Sequence, residues 1–178
     1  INTITGAAWA SGGAMNTGRS EGMTAGTQTA SLMSGGIVPG SDAMTNNSEE
    51  YNGSSWSEGN NLGNFRRGGG FGAQGTQTAG WVSGGNGGST SPAAGLLTTA
   101  EEYNGTSWSD GGDMPATKFS HGSLGTQTAG LAFSGKTGTN VNTDVTSVNT
   151  TYEYDGSSWT AGGNYAIANN VMAGFGTQ

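Results

Sequence analysis

Acidic residues recur along this chain as Glu49-Glu50, Glu101-Glu102 and the single Glu153. Two neighbouring carboxylates could share general-acid and general-base work on a glycosidic bond. Their return once per interval of about fifty residues argues against that, because a catalytic pair is needed once. In a strand, consecutive side chains also point to opposite faces, so the carboxylates of each pair diverge. Arg19, Arg66 and Lys118 form a second periodic set, each ten residues after a tryptophan (Trp9, Trp56, Trp108), with Asn169 in that place after Trp159. Such cations could anchor an acidic sugar or a carboxylate, or pair internally with the glutamates. His121 is the only histidine and cysteine is absent, so the ligand set of a zinc or copper centre is missing. It reads as a surface residue. Arg19, Arg66, Lys118 and His121 are the candidate residues of a ligand face, and no catalytic, metal or cofactor residue is indicated.

Other motifs lose their chemistry on inspection. Gly68–Gly72 (GGGFG) looks like a phosphate-cradling loop but lacks the Lys-Ser/Thr and the helix such loops feed. It coincides instead with a two-residue insertion in the repeat. Asn and Asp are plentiful, yet no D-x-D-x-D-G calcium loop occurs. Four N-x-S/T sequons lie at Asn46, Asn52, Asn104 and Asn149, and turn chemistry explains Asn52 and Asn104.

The elements that must position these residues are written in the repeat. GTQ occurs at Gly26, Gly75, Gly125 and Gly176, at spacings of 49, 50 and 51, and four of the five tryptophans, Trp9, Trp56, Trp108 and Trp159, are spaced 47, 52 and 51. Tyr51–Trp56, Tyr103–Trp108 and Tyr154–Trp159 each enclose Asn-Gly or Asp-Gly, a hairpin signature favouring positive φ. Ile4–Trp9 is a worn copy. A second hairpin surrounds GTQT and leads into apolar segments whose core candidates are Leu32, Trp81 and Leu131. Four strands per repeat follow: a before GTQ, b after it, c ending at Tyr, d starting at Trp. The a–b and c–d intervals are constant, whereas the b–c and d–a connections vary in length. All variation therefore falls on one face, carrying Ile37–Asn47, Asn86–Thr98 and Lys136–Asn149 with Gly12–Gly18, Gly59–Asn64 and Gly111–Thr117.

Composition sets outer bounds. The 178 residues include 36 glycines and only 10% charged residues, but periodic aromatics are foreign to a disordered chain. The net charge of −7 speaks against a nucleic-acid partner. No apolar run reaches the length of a membrane span, so membrane insertion is not expected. The chain opens on Ile1 with no basic-then-apolar leader, and a signal peptide is expected to be absent or removed. No helix-period apolar pattern survives the glycines, and the reading is all-β.

These residues resemble the kelch repeat, with its glycine doublet (Gly35-Gly36, Gly84-Gly85, worn to Ser134-Gly135), its Tyr and Trp, and the basic residue of the next strand a. The Tyr–Trp gap is five here instead of the usual six. The GTQTAG and EEYNGSSW phrasing resembles Gly/Thr-rich kelch-like repeats of marine bacteriophage structural proteins. The resemblance implies four-stranded antiparallel β-propeller blades: a partial blade at 1–13, blades at 14–60, 61–112 and 113–163, and a partial blade at 164–178. Ring closure falls short of a four-bladed propeller, so a longer array or a neighbouring chain is expected to complete it. It implies a non-enzymatic structural or adhesive protein, a phage tail-fibre or virion-surface component, or else a self-assembling extracellular fibre subunit. Its expected partners are a host surface glycan or protein and other virion or fibre subunits.

Overall fold

The structure is a computed structural model that describes residues 11–72, 74–88 and 95–176. Ile4–Trp9, Ile1, Gln178 and the middle of the Asn86–Thr98 loop lie outside the described residues. Among the described residues there is no helix, and the fold is all-β, built from several small antiparallel sheets.

Each stretch of about fifty residues supplies one set of strands. The first contains β1 (Met23–Thr27), β2 (Ala30–Ser34), the short ribbon β3 (Ile37–Val38) and β4 (Ala43–Met44), then β5 (Ser48–Tyr51) and β6 (Trp56–Glu58). The second contains β7 (Arg66–Arg67), β8 (Phe71–Gly72), β9 (Gly75–Thr76), β10 (Ala79–Ser83), β11 (Asn86–Gly87), β12 (Ala100–Tyr103) and β13 (Trp108–Asp110). The third contains β14 (Gly122–Thr126), β15 (Ala129–Phe133), β16 (Lys136–Thr137), β17 (Thr146–Ser147), β18 (Thr151–Tyr154) and β19 (Trp159–Ala161), and β20 (Ala173–Gly174) follows. The sheets run β1-β2-β5-β6, β9-β10-β12-β13 and β14-β15-β18-β19, one order three times. We call each a module. Tyr51, Tyr103 and Tyr154 stand opposite Trp56, Trp108 and Trp159 in the same register.

Turn chemistry explains both hairpins. In each GTQT hairpin Thr and Ala pair across a two-residue Gln-Thr turn. The glycine before it has φ between 85° and 98°, and at Gly75 a Cβ would collide with the Ala79 carbonyl oxygen, so only glycine fits. The c–d hairpins differ from the tight turn expected. Four residues connect Tyr to Trp, only the glycine has positive φ, and the Asn52, Asn104 and Asp155 side chains each accept two backbone N–H bonds at 2.8–3.0 Å. These are Asx turns, in which the side chain replaces a backbone acceptor.

The strands preceding GTQ gather side by side. β14 and β20 both run parallel to β8, through Gly122↔Phe71 and Ala173↔Phe71. Part of the GGGFG insertion is thus strand rather than loop. A backbone ladder links successive stretches: Gly68 N–H to Glu21 O at 2.9 Å, Ser120 to Gly68 at 2.7 Å, Val171 to Ser120 at 2.8 Å. All four residues are left-handed, with φ of 56°, 57°, 50° and 56° for Glu21, Gly68, Ser120 and Val171. Their spacings, 47, 52 and 51, equal those of the tryptophans.

The core lies between modules. Trp81 packs with Tyr154 and Trp159, its ring centroid 5.7 Å from that of Trp159. Leu32 packs with Ala25, Tyr103 and Trp108. Leu131, the third member of this column, is only half-buried, because no described module follows the third. Trp81→Ala should cost about 3–5 kcal/mol in urea unfolding and Leu131→Ala only about 1 kcal/mol. Equal losses would mean that the column is not one structural position.

Candidate functional site

The periodic cations are buried. Arg66 has no exposed surface, Lys118 is 1% exposed, and the Arg19 side chain is fully covered. Each fastens the connection entering its own module. Arg66 Nη1 donates to the Gly84 and Thr99 carbonyls at 3.0 Å, and Nη2 to Glu101 Oε1 at 2.6 Å. Arg19 repeats this on the Gly35 and Asn47 carbonyls and on Glu49. Glu101 also accepts the Gly63 and Asn64 amides, and Glu49 those of Asn16 and Thr17. Burial lowers the Arg66 pKa from its ordinary value, and the Glu101 charge opposes that fall.

The third module changes the chemistry without changing the geometry. Lys118 Nζ donates to the Ser134 and Thr150 carbonyls at 2.8 and 2.9 Å. The carboxylate position holds Tyr152, and Nζ lies 4.8 Å from that ring's centroid. Burial brings Lys118 down to about 8. Glutamate and arginine are thus replaced together.

His121 is a further correction. It is wholly buried immediately before β14, with Nε2 3.1 Å from Ser83 Oγ. Burial, reinforced by the Lys118 charge, lowers its pKa to about 3, so it is neutral. The surface reading failed because His121 leads into strand a, the innermost strand. None of Arg19, Arg66, Lys118 and His121 is available to a ligand; the internal alternative accounts for the two arginines. The Glu pairs diverge as alternation requires: Glu49 and Glu101 are buried, while Glu50 and Glu102 are half-buried and accept the hydroxyls of Tyr103 and Tyr154. Among the described residues no three His, Asp or Glu side chains gather as a metal-holding group.

What the structure does bring together is the variable connections. Leu62 N–H donates to Asn46 O at 2.8 Å, Met114 to Thr98 at 2.9 Å, and Tyr165 to Asn149 at 2.7 Å, so the connections that follow the three modules each lie against a b–c connection. Between two of them is an open cleft of about 350 Å³, lined by Gly63, Asn64, Phe65, Gly87, Leu96 and Leu97. Phe65 is 38% exposed. Sequence reasoning missed this residue because it lies between the periodic markers. Its signal was an aromatic beside the buried arginine in a connection of variable length. Compared with protein-family models and with curated proteins, the chain matches none.

Two outcomes check this geometry. Arg66→Met or Glu101→Gln should destabilise by about 3–5 kcal/mol, since either leaves a buried charge alone, whereas Glu102→Gln should cost about 1 kcal/mol. His121 takes a proton near 6.5 when unfolded and near 3 when folded. Its stabilising effect is therefore complete above pH 6.5 and lost as pH falls from 6.5 toward 3. Unfolding free energy should drop by roughly 2 kcal/mol between pH 6.5 and about 5, and His121→Asn should flatten that window.

Proposed function

We propose that this chain is a non-enzymatic adhesive repeat protein of kelch-like blade type, a phage tail-fibre or virion-surface component that binds a host surface glycan through its loop face. The observation that supports this reading is that three d–a connections bond backbone to backbone with length-variable b–c connections, while the a–b and c–d turns keep constant length. A frame fixed at one edge and variable at the other suits a binding module. The cleft beside Phe65 adds an aromatic face among Asn, Gly and backbone groups, a surface suited to stacking on a sugar ring and bonding its hydroxyls. With Arg19, Arg66 and Lys118 withdrawn inside, the ligand is hydroxyl-rich and need not be acidic.

Exchange of the Ile37–Asn47, Asn86–Thr98 and Lys136–Asn149 loops for those of a relative should change the pattern on a glycan array. Phe65→Ala should weaken retained binding about tenfold with little change in melting temperature. Binding unchanged by both alterations, or lost only when the GTQ turns are altered, would place recognition elsewhere. Binding to a host protein but to no glycan would refute the ligand class.

A further inference from the structure

The chain contains three Asn-Gly pairs, Asn52-Gly53, Asn86-Gly87 and Asn104-Gly105. Such a pair can react with itself. Once a base has taken its proton, the glycine nitrogen attacks the asparagine Cγ, and the missing glycine side chain leaves that approach open. The reaction depends on how free the nitrogen is and how strongly the amide carbonyl is polarised. The fold treats the three pairs differently on both counts.

Asn104 is exposed in the connection between β12 and β13, and the Gly105 N–H has no acceptor among the described residues. Asn104 Oδ1 accepts the Thr106 and Ser107 N–H groups at 2.9 Å each. Both donors are aimed at the oxygen that gains negative charge when Cγ is attacked, the arrangement of an oxyanion hole. Nδ2, the atom to be expelled, lies 3.3 Å from Ser107 Oγ. Asn52 occupies the same turn one module earlier, its Oδ1 accepting the Ser54 and Ser55 amides at 3.0 Å and Ser54 Oγ at 2.9 Å. Asn86 is the reverse. It is fully buried on β11, the Gly87 N–H is held by the Gly95 carbonyl at 3.1 Å, and Asn86 Oδ1 has no donor among the described residues. The third module already holds a carboxylate in this turn: Asp155 Oδ1 accepts the Ser157 and Ser158 amides at 2.9 and 2.8 Å.

We propose that Asn104, and Asn52 with it, are sites of spontaneous deamidation, and that the fold spares Asn86. The Gly105 nitrogen loses its proton to hydroxide and bonds to Asn104 Cγ. The amide nitrogen takes a proton from water and departs as ammonia, leaving a succinimide ring. Water then opens the ring. Cleavage between the nitrogen and Cγ gives aspartate; cleavage between the nitrogen and the main-chain carbonyl carbon gives isoaspartate, whose backbone runs through Cγ. One water is consumed, one ammonia is released and one negative charge is gained. The aspartate product keeps the Asx turn, as Asp155 does. The isoaspartate product lengthens the connection by a backbone atom and takes away the capping side chain. Bonds from the Ser158 amide and then from Ser157 hold the Asp155 carboxyl at about 2, and an ionised carboxylate resists this attack, so aspartate is the end state. This inference is independent of the role proposed for the loop face.

The test incubates the full chain in mildly alkaline water enriched in heavy oxygen, once folded and once in urea, and locates the label by peptide mass mapping. In the folded chain the label should enter at Asn104 and Asn52 at least about tenfold faster than at Asn86, which reacts only from locally opened states. In urea the three rates should converge. Asn104→Asp should leave the melting temperature within about 1 °C of wild type, whereas Asn104→Ala, which removes the cap, should lower it by about 2–4 °C. Equal rates in the folded chain overturn the proposal, as does a folded chain that takes no label at Asn104. So does a ranking that persists in urea, since it would come from neighbouring sequence and not from the fold. An Asn104→Asp chain that melts as low as Asn104→Ala overturns the aspartate end state.

Discussion

A buried cation at the entrance to each module is the interaction on which the rest of this structure depends. The d–a connection must leave the outer edge of one sheet and return to the inside of the next. A glycine-rich segment has little apolar surface with which to hold that path. Arg19 and Arg66 hold it electrostatically, each clamping two carbonyls and one carboxylate, while the same carboxylate caps two amides of the incoming connection. A buried ion pair repays its desolvation only when its remaining hydrogen-bonding capacity is well satisfied, and these come close to that condition. In the third module Lys118 keeps the carbonyls and exchanges the carboxylate for the Tyr152 ring.

The second constraint is the junction between modules, where polar side chains share the work of a modest apolar core. Tyrosine hydroxyls donate to half-buried glutamates, and burial together with that bond pushes Tyr154 up to about 12, so it remains a donor. The GTQ glutamine reaches back to two carbonyls of the preceding sheet, which gives a fixed turn sequence a purpose beyond its own hairpin. The copies are not perfect. Trp108 has a partner in Ser48, but the corresponding residue below Trp159 is Ala100, and Trp159 Nε1 is buried with no partner among the described residues. Polar junctions specify register through donors and acceptors, whereas apolar ones would tolerate sliding.

This division of labour leaves one edge free. The Gln-Thr and Asx turns are committed to hairpins and junctions, so their lengths cannot drift. The connections at the other edge need to meet only through a few backbone bonds, such as Leu62 with Asn46, and can lengthen without disturbing either junction.

By itself the sequence determined the strand order, the hairpins, the divergence of each Glu pair and the gathering of variable connections at one edge. Those properties are local or periodic: turn residues set hairpins over a few positions, alternation sets faces, and a repeat transfers both from one copy to the next. Only the tertiary structure decided which side of each strand met another module. Arginine, lysine and histidine look alike in sequence whether they face solvent or a neighbouring sheet. Burial is fixed by what packs against them at sequence separations of 16 to 38 residues. His121 was misread for that reason, since the strand it leads into is innermost, and Leu131 for the converse one, since no described module covers it. The left-handed ladder through Glu21, Gly68, Ser120 and Val171 was equally hidden. Four unlike residues adopt one left-handed conformation there, strained for all but Gly68, because the backbone bonds between repeats, and not their side chains, demand it.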